Sequence, residues 1–117
     1  MIQQQIKQAV SDLSMPDGLS AKGKKAYKAI MQVMIDTDAL ETGGCKTFYS
    51  SAEWKARGEE YCCNAELIVV YDGGLVAPFF NYDDEYYSLI DIMDQALEKV
   101  GLYSEQGTSW YSGIYER

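Results

Sequence analysis

Cys45 is the residue whose neighbours best suit a nucleophile. It follows Gly43-Gly44 and precedes Lys46. A glycine-rich loop and an adjacent cation favour the thiolate form of a cysteine, which is the reactive form. Cys45 is therefore a candidate reactive thiol, whereas Cys62 and Cys63 are interpreted as ordinary reduced, partly buried thiols.

The absence of histidine restricts what chemistry Cys45 or any other residue can perform. The chain contains no histidine, which excludes the Ser-His-Asp and Cys-His catalytic systems, histidine-rich metal sites and the usual general base near neutral pH. A base for Cys45 would have to be a carboxylate or a tyrosine. Carboxylate pairs for acid–base catalysis remain open as alternatives, with Glu53 and Glu60 or Glu59 and Asp72 as the candidates. No calcium-loop spacing is present, and we predict neither a metal nor a cofactor.

The segment from Gly18 to Lys25 comes close to the phosphate-binding pattern G-x-x-x-x-G-K-[ST]. Lys25 stands where that pattern needs a metal-binding hydroxyl, and Pro16-Asp17 precedes the segment where a buried strand should be. A nucleotide hydrolase is therefore not expected. Two interpretations of the lysine cluster remain: an anion site at a helix N-terminus, or a solvated basic helix face, which we favour. The cluster consists of Lys22, Lys24, Lys25 and Lys28.

Charge is distributed unevenly along the chain. Residues 1–35 carry five lysines and two aspartates, a net charge of +3, and residues 36–117 carry five basic and sixteen acidic residues, a net charge of −11, which sums to the −8 of the whole chain. Such an acidic surface disfavours direct binding of nucleic-acid phosphates and favours basic partners.

Tyrosine is abundant, with ten residues in a chain of 117. Aromatic rings beside acidic residues are typical of recognition surfaces, because rings bury area at low entropic cost and keep a polar tip. Most of the ten are expected at the edge of the core. The predicted partner-binding residues are Tyr82, Asp83, Asp84, Glu85, Tyr86, Trp110 and Tyr111.

The first half of the chain is predicted to be mainly helical. Apolar residues recur at helical spacing over residues 2–13, and Ser20 can cap a second helix that runs to about Asp36. Residues 45–49 fit either a strand or an ordered loop. The pattern Ser50-Ser51-Ala52-Glu53 is a capping box, which predicts a short helix from about Ser51 to Arg57.

The second half is predicted to contain strands and one long helix. The pattern predicts a strand at residues 65–71 and a hairpin turn at Asp72-Gly73-Gly74. Residues 75–80 are predicted to form the partner strand of this hairpin. Asn81 or Asp83 should cap a helix, with Asp84 and Glu85 stabilising its N-terminus by about 0.3–1 kcal/mol each. A last pair of strands should turn at Gly107.

These elements predict a single α+β domain over residues 1–117. Its fold would be an antiparallel sheet of three to five strands with helices packed on one face and a helical N-terminal third. No apolar run reaches the roughly 18 residues of a membrane span, and no basic, apolar leader opens the chain. With an odd number of cysteines as well, we expect a reducing, cytoplasmic location and no membrane partner. The sequence does not determine the oligomeric state.

In size, acidity, tyrosine content and lack of catalytic motifs, the chain is similar to many small phage-encoded inhibitors of host defence, the anti-CRISPR type among them. The similarity is one of composition; it covers no motif and assigns no residue. Our first hypothesis is an acidic interaction protein, or inhibitor, that binds a basic surface of a larger protein; a nucleic-acid-binding surface is one such candidate. The second is a small-molecule or nucleotide-binding module that uses the Lys22–Lys28 helix, and the third is a small enzyme that depends on Cys45 or a carboxylate pair.

Overall fold

A computed structural model describes residues 12–41, 46–71 and 74–117, apart from the side chain of Asp83. Within these ranges the longer α-helices are α1 (Ala21–Asp36), α2 (Ser51–Ala56) and α3 (Tyr87–Glu98). The strands of the same ranges are β1 (Phe48–Tyr49), β2 (Leu67–Val70), β3 (Leu102–Thr108) and β4 (Tyr111–Glu116). The predicted helix at residues 2–13 falls almost entirely outside the described residues.

The strands form one antiparallel sheet in the order β1-β2-β4-β3. In the register of this sheet, Leu67 lies opposite Ile114, and Val69 lies opposite both Phe48 and Ser112. Side chains of β2 and β4 therefore alternate between the two faces of the sheet, and a register shift interrupts the pairing of β3 between Gln106 and Thr108. The α+β class and the antiparallel sheet predicted from the sequence are confirmed.

The main core lies between the sheet and the two long helices. Leu67, Val69 and Ile114 of the sheet join the buried side chains of α1 and α3 in one cluster. The short helix α2 and the loop after it cover the opposite face, where Trp54 packs with Ile68 and Val70 in a second cluster. The sheet is thus covered by the long helices on one face and by α2 on the other.

Two helix starts follow the predicted capping chemistry. The Ser20 hydroxyl accepts a hydrogen bond from the backbone N–H of Gly23 at 3.0 Å and begins α1. Ser50 and Glu53 form the reciprocal capping box of α2, at 3.0 and 3.2 Å, and Gly58 follows the helix with a φ of +85°. Local hydrogen bonding is sufficient to define both starts.

The predicted hairpin partner at residues 75–80 is wrong. Ala77–Phe79 form a 3-10 helix with Pro78 in its first turn. Both edges of β2 are already occupied, by β1 on one side and β4 on the other. Pro78 also lacks the backbone N–H that pairing within a sheet requires, and its fixed φ suits the first turn of a helix. Residues 75–80 therefore form a turn and a 3-10 helix instead of a strand.

The predicted start of the last long helix is also wrong. A 3-10 helix occupies Tyr82–Asp84, and α3 begins after Tyr86 without a side-chain cap and with no acidic residue in its first turn. Glu85 adopts a φ of +61°, which separates the 3-10 helix from α3. Asp84 and Glu85 therefore do not stabilise the first turn of α3 as the sequence suggested.

Candidate protein-binding surface

The break before α3 displays a cluster of exposed tyrosines beside acidic residues. Tyr82, Tyr86 and Tyr87 are 48%, 55% and 56% exposed. Asp84 and Glu85 lie between them and are exposed as well. We call these five residues the acidic–aromatic surface. A tight helical turn followed by one left-handed residue leaves three large rings exposed to solvent within six positions.

Hydrogen bonds hold this surface against the turn between β3 and β4. The Gln106 side-chain amide donates to Asn81 Oδ1 and to the carbonyl oxygen of Thr108, both at 2.9 Å. The backbone N–H of Tyr82 donates to Gln106 Oε1 at 3.1 Å, and Asn81 Nδ2 donates to the carbonyl oxygen of Ser109 at 3.0 Å. Such a fixed loop loses little conformational entropy when a partner binds.

The electrostatic field at this surface is negative. Burial raises the pKa of the Tyr82 hydroxyl, and the nearby carboxylates of Asp94 and Asp91 raise it further. Residues 81–98 contain six acidic residues and no lysine or arginine. Acids beside exposed rings suit a cationic ligand, above all a guanidinium group, which stacks on aromatic faces and pairs with carboxylates.

The carboxyl of Asp94 links this surface to β3. Burial is the largest influence and raises the pKa of this carboxyl, and the nearby carboxylate of Asp91 raises it further. The hydrogen bond from Ser104 Oγ, at 3.5 Å, and the charge of Arg117 lower it. The pKa of Asp94 is raised overall, so the folded protein disfavours its ionised form. Ionisation of this group therefore removes stability as the pH rises through its folded-state pKa.

Replacing Asp94 with Asn should consequently stabilise the protein at neutral pH. We expect a gain of less than about 1 kcal/mol in the free energy of unfolding near pH 7. The gain should vanish below the ordinary aspartate pKa of about 3.9, where the carboxyl is protonated in both folded and unfolded chains. Urea unfolding at both pH values measures the effect, and Asp17→Asn, at an exposed turn, is the control. A loss of stability near pH 7 would contradict the conclusion that folding raises the pKa of Asp94.

Trp110 and Tyr111 occupy a different environment from the other predicted partner-binding residues. Tyr111 is buried, and the half-buried ring of Trp110 packs against it at 4.6 Å and against Trp54 at 5.9 Å. Both rings belong to the cluster on the α2 side of the sheet. The structure brings together Tyr82, Asp84, Glu85 and Tyr86, and places the rings of Trp110 and Tyr111 elsewhere. Of Asp83, only its position in the 3-10 helix is described.

The start of the lysine-rich helix is occupied by carboxylates. Lys22 Nζ forms an ion pair with Glu116 Oε1, and the Ser20 hydroxyl donates to Glu66 Oε2. Acidic groups near a helix N-terminus are favourable. The Lys22–Glu116 pair supports the interpretation of Lys22 as a counterweight to a nearby acid. Lys24, Lys25 and Lys28 are exposed.

The candidate catalytic residues receive little support from the described residues. Cys45 and Asp72 lie outside them. Burial opposes ionisation of Glu53, but the hydrogen bonds from Lys46 Nζ, at 2.6 Å, and from Ser50 lower the pKa of this carboxyl. Glu53 therefore serves α2 as an ionised capping residue. Cys63 Sγ donates to the carbonyl oxygen of Glu59 at 3.1 Å.

The predicted partner-binding residues did not include Tyr87 or the residues that lie beside the acidic–aromatic surface. Tyr87 and Asp91 are four positions apart on α3, and this spacing on one helical face was visible in the sequence. Asn81 was assigned a helix cap instead of its contact with Gln106. Gln106 itself has no sequence signal, because its role depends on a contact 25 positions away.

Comparisons with known proteins found no match that would assign a family to this chain. No protein-family model, curated protein or solved structure matches the chain. Within the described ranges, no group of three or more Cys, Asp and Glu side chains is arranged to hold a metal ion. Across the same ranges, no helix is long and apolar enough to cross a bilayer.

Proposed function

We propose that this protein is a small interaction module that binds a basic surface of a larger protein partner through the acidic–aromatic surface. The observation that carries the proposal is the exposure of Tyr82, Tyr86 and Tyr87, each near half or more, beside acids that have no cationic neighbour in residues 81–98. Exposed apolar area of this kind marks interaction sites. A tyrosine ring supplies contact area and a hydroxyl, and the carboxylates select a cationic partner.

An inhibitory role follows from the charge of the partner. A protein surface basic enough to bind this module is typically one that binds nucleic-acid phosphates. Occupation of that surface by carboxylates would compete directly with nucleic acid. We therefore propose that the module blocks nucleic-acid binding by its partner, as the phage-encoded inhibitors of similar composition do.

The test is a quantitative pull-down with the immobilised protein, followed by a nucleic-acid competition assay on the recovered partner. Replacing Asp84 and Glu85 with Lys should reduce partner recovery at least about tenfold, equivalent to 1.4 kcal/mol. The same reversal at Asp17 and Glu60, two exposed acids outside the surface, changes the net charge equally and should leave recovery nearly unchanged.

A second pair of substitutions separates ring contacts from charge. Replacing Tyr86 and Tyr87 with Ser leaves the net charge at −8 and should also weaken recovery, because buried aromatic anchors dominate interface energies. Equal losses in both charge-reversal variants, with no effect of the Ser variant, would indicate charge attraction alone and refute the proposed surface. A recovered partner that still binds nucleic acid at saturation would refute inhibition but not binding.

A further inference from the structure

The outer surface of the helix layer contains a groove between α1 and α3. The two helices run antiparallel: Lys22, at the start of α1, pairs with Glu116, and Glu116 lies opposite Leu102 in the sheet. Leu102 follows the end of α3 by four residues. The start of α1 therefore lies beside the end of α3.

Apolar side chains make up much of the lining of this groove. It has a volume of about 440 Å³, and its lining includes Ala29, Val33, Ile92, Ala96 and Val100 together with the polar residues Gln32 and Gln95. Ile92 is 43% exposed and Val100 is 37% exposed. Val100 follows Lys99 and Ile92 lies two helical turns earlier on α3, so these two large apolar side chains lie toward opposite ends of the groove.

The two ends of the groove carry opposite charges. Lys99 lines it where α3 ends, and Lys25 lies one helical turn before Ala29 at the same end. Asp36 lines it where α1 ends. Because the helices are antiparallel, the lysines lie at one end of the groove and Asp36 at the other.

We propose that this groove binds a second copy of the chain, forming a two-fold symmetric dimer. A two-fold axis places the same surface against itself in reversed direction. Reversal brings the basic end of each copy onto the acidic end of the other, so that Lys99 pairs with the partner's Asp36 twice. The same reversal places Ile92 of each copy near Val100 of the other, so that both are buried between the two copies. A partner of one charge sign would meet repulsion at one of the two ends, whereas a second copy meets attraction at both.

The charge pairing is tested by light scattering during size-exclusion chromatography, over a range of protein concentrations. The wild-type chain should be dimeric, with the dimer weakened by high salt. Lys99→Glu and Asp36→Lys, each tested alone, place like charges together twice and should yield monomers. An equimolar mixture of the two variants should form a one-to-one heterodimer, because both of its pairs again join opposite charges. Lys55→Glu and Asp17→Lys, at exposed sites away from the groove, are the matched controls and should remain dimeric.

The contribution of the apolar lining residues to the dimer is tested separately. Ile92→Arg should abolish the dimer, whereas Leu75→Arg, at a residue of similar exposure (41% against 43%) outside the groove, should retain it. Circular dichroism confirms that each variant is folded. A wild-type chain that is monomeric at every concentration overturns the proposal, whatever else covers the groove. So does a dimer that survives Ile92→Arg, or a variant mixture that does not form the heterodimer.

Discussion

Replacing Trp54 with Ala should cost about 3–5 kcal/mol of folding free energy. Trp54 is fully buried and is the central ring of the cluster on the α2 side of the sheet. Its ring centroid lies 5.0 Å from that of Tyr111 and 5.3 Å from that of Tyr49. The substitution removes these ring contacts and leaves a cavity that a six-residue helix resting on a β-sheet cannot fill.

The hydrogen bond of the Trp54 indole N–H also contributes to the stability of the folded protein. It donates to the carbonyl oxygen of Tyr61 at 2.8 Å and so ties the loop after α2 back to this helix. The guanidinium of Arg57 lies 4.9 Å from the indole ring and covers its outer side. Loss of Trp54 should therefore loosen residues 57–65 as well as lower global stability.

Urea unfolding followed by far-ultraviolet circular dichroism measures the effect. Trp54→Phe retains an aromatic ring but loses the donor, and should cost less than the Ala variant by at least about 1 kcal/mol. Since domains of this size are stable by only about 5–15 kcal/mol, Trp54→Ala removes a large share of the total. A loss below about 1 kcal/mol would show that this cluster contributes little to the fold.

Replacing Gly23 with Ala should destabilise the protein, although the same change stabilises most helices. In an ordinary helix interior, Ala is favoured over Gly by about 0.5–1 kcal/mol. Here a Cβ atom would approach the backbone carbonyl oxygen of Glu66 to less than 3.0 Å and crowd the side chain of Leu19. Carbonyl oxygens at a strand entry cannot move aside as a flexible side chain does. We therefore expect a loss of about 1–3 kcal/mol, as in overpacked cores.

The neighbouring residue provides the control for this prediction. Lys24 lies in the same turn and is exposed, so Lys24→Ala should change stability by no more than about 0.5 kcal/mol. Thermal unfolding of both variants against the wild type is sufficient to compare them. A higher melting temperature for Gly23→Ala would mean that α1 does not approach the start of β2 as closely as described.

The two proposed interfaces use different sides of α3. At 3.6 residues per turn, Ile92 and Asp94 project in nearly opposite directions. The groove lies on the Ile92 side, whereas Asp94 faces Ser104 and the acidic–aromatic surface. A dimer through the groove would therefore present two copies of the acidic–aromatic surface. Two linked sites bind a repetitive or two-fold partner more tightly than one.

The sequence by itself determined those elements whose signals are local. Ser20 and the Ser50–Glu53 capping box each satisfy free backbone N–H groups within three residues, so both helix starts were predictable. The alternation of residues in the last strand placed Trp110, Ser112 and Ile114 on one face and Tyr111, Gly113 and Tyr115 on the other. Ile114 and Tyr111 do lie on opposite faces of the sheet, but Trp110 precedes β4 and packs with Tyr111. The acids and tyrosines at residues 82–86 were also identified as a surface from composition alone.

Only the tertiary structure decided the features that depend on distant partners. Residues 75–80 lost their predicted strand because β1 and β4 already pair with both edges of β2. Asn81 does not cap α3 because it bonds to Gln106 and Ser109, which leaves Tyr82 and Tyr86 outside the helix and exposed. A Cβ atom at Gly23 would meet the backbone carbonyl oxygen of Glu66, which is 43 positions away in the sequence. In each case the deciding contact spans 19 or more positions, and a local pattern carries no information about which distant group will occupy that space.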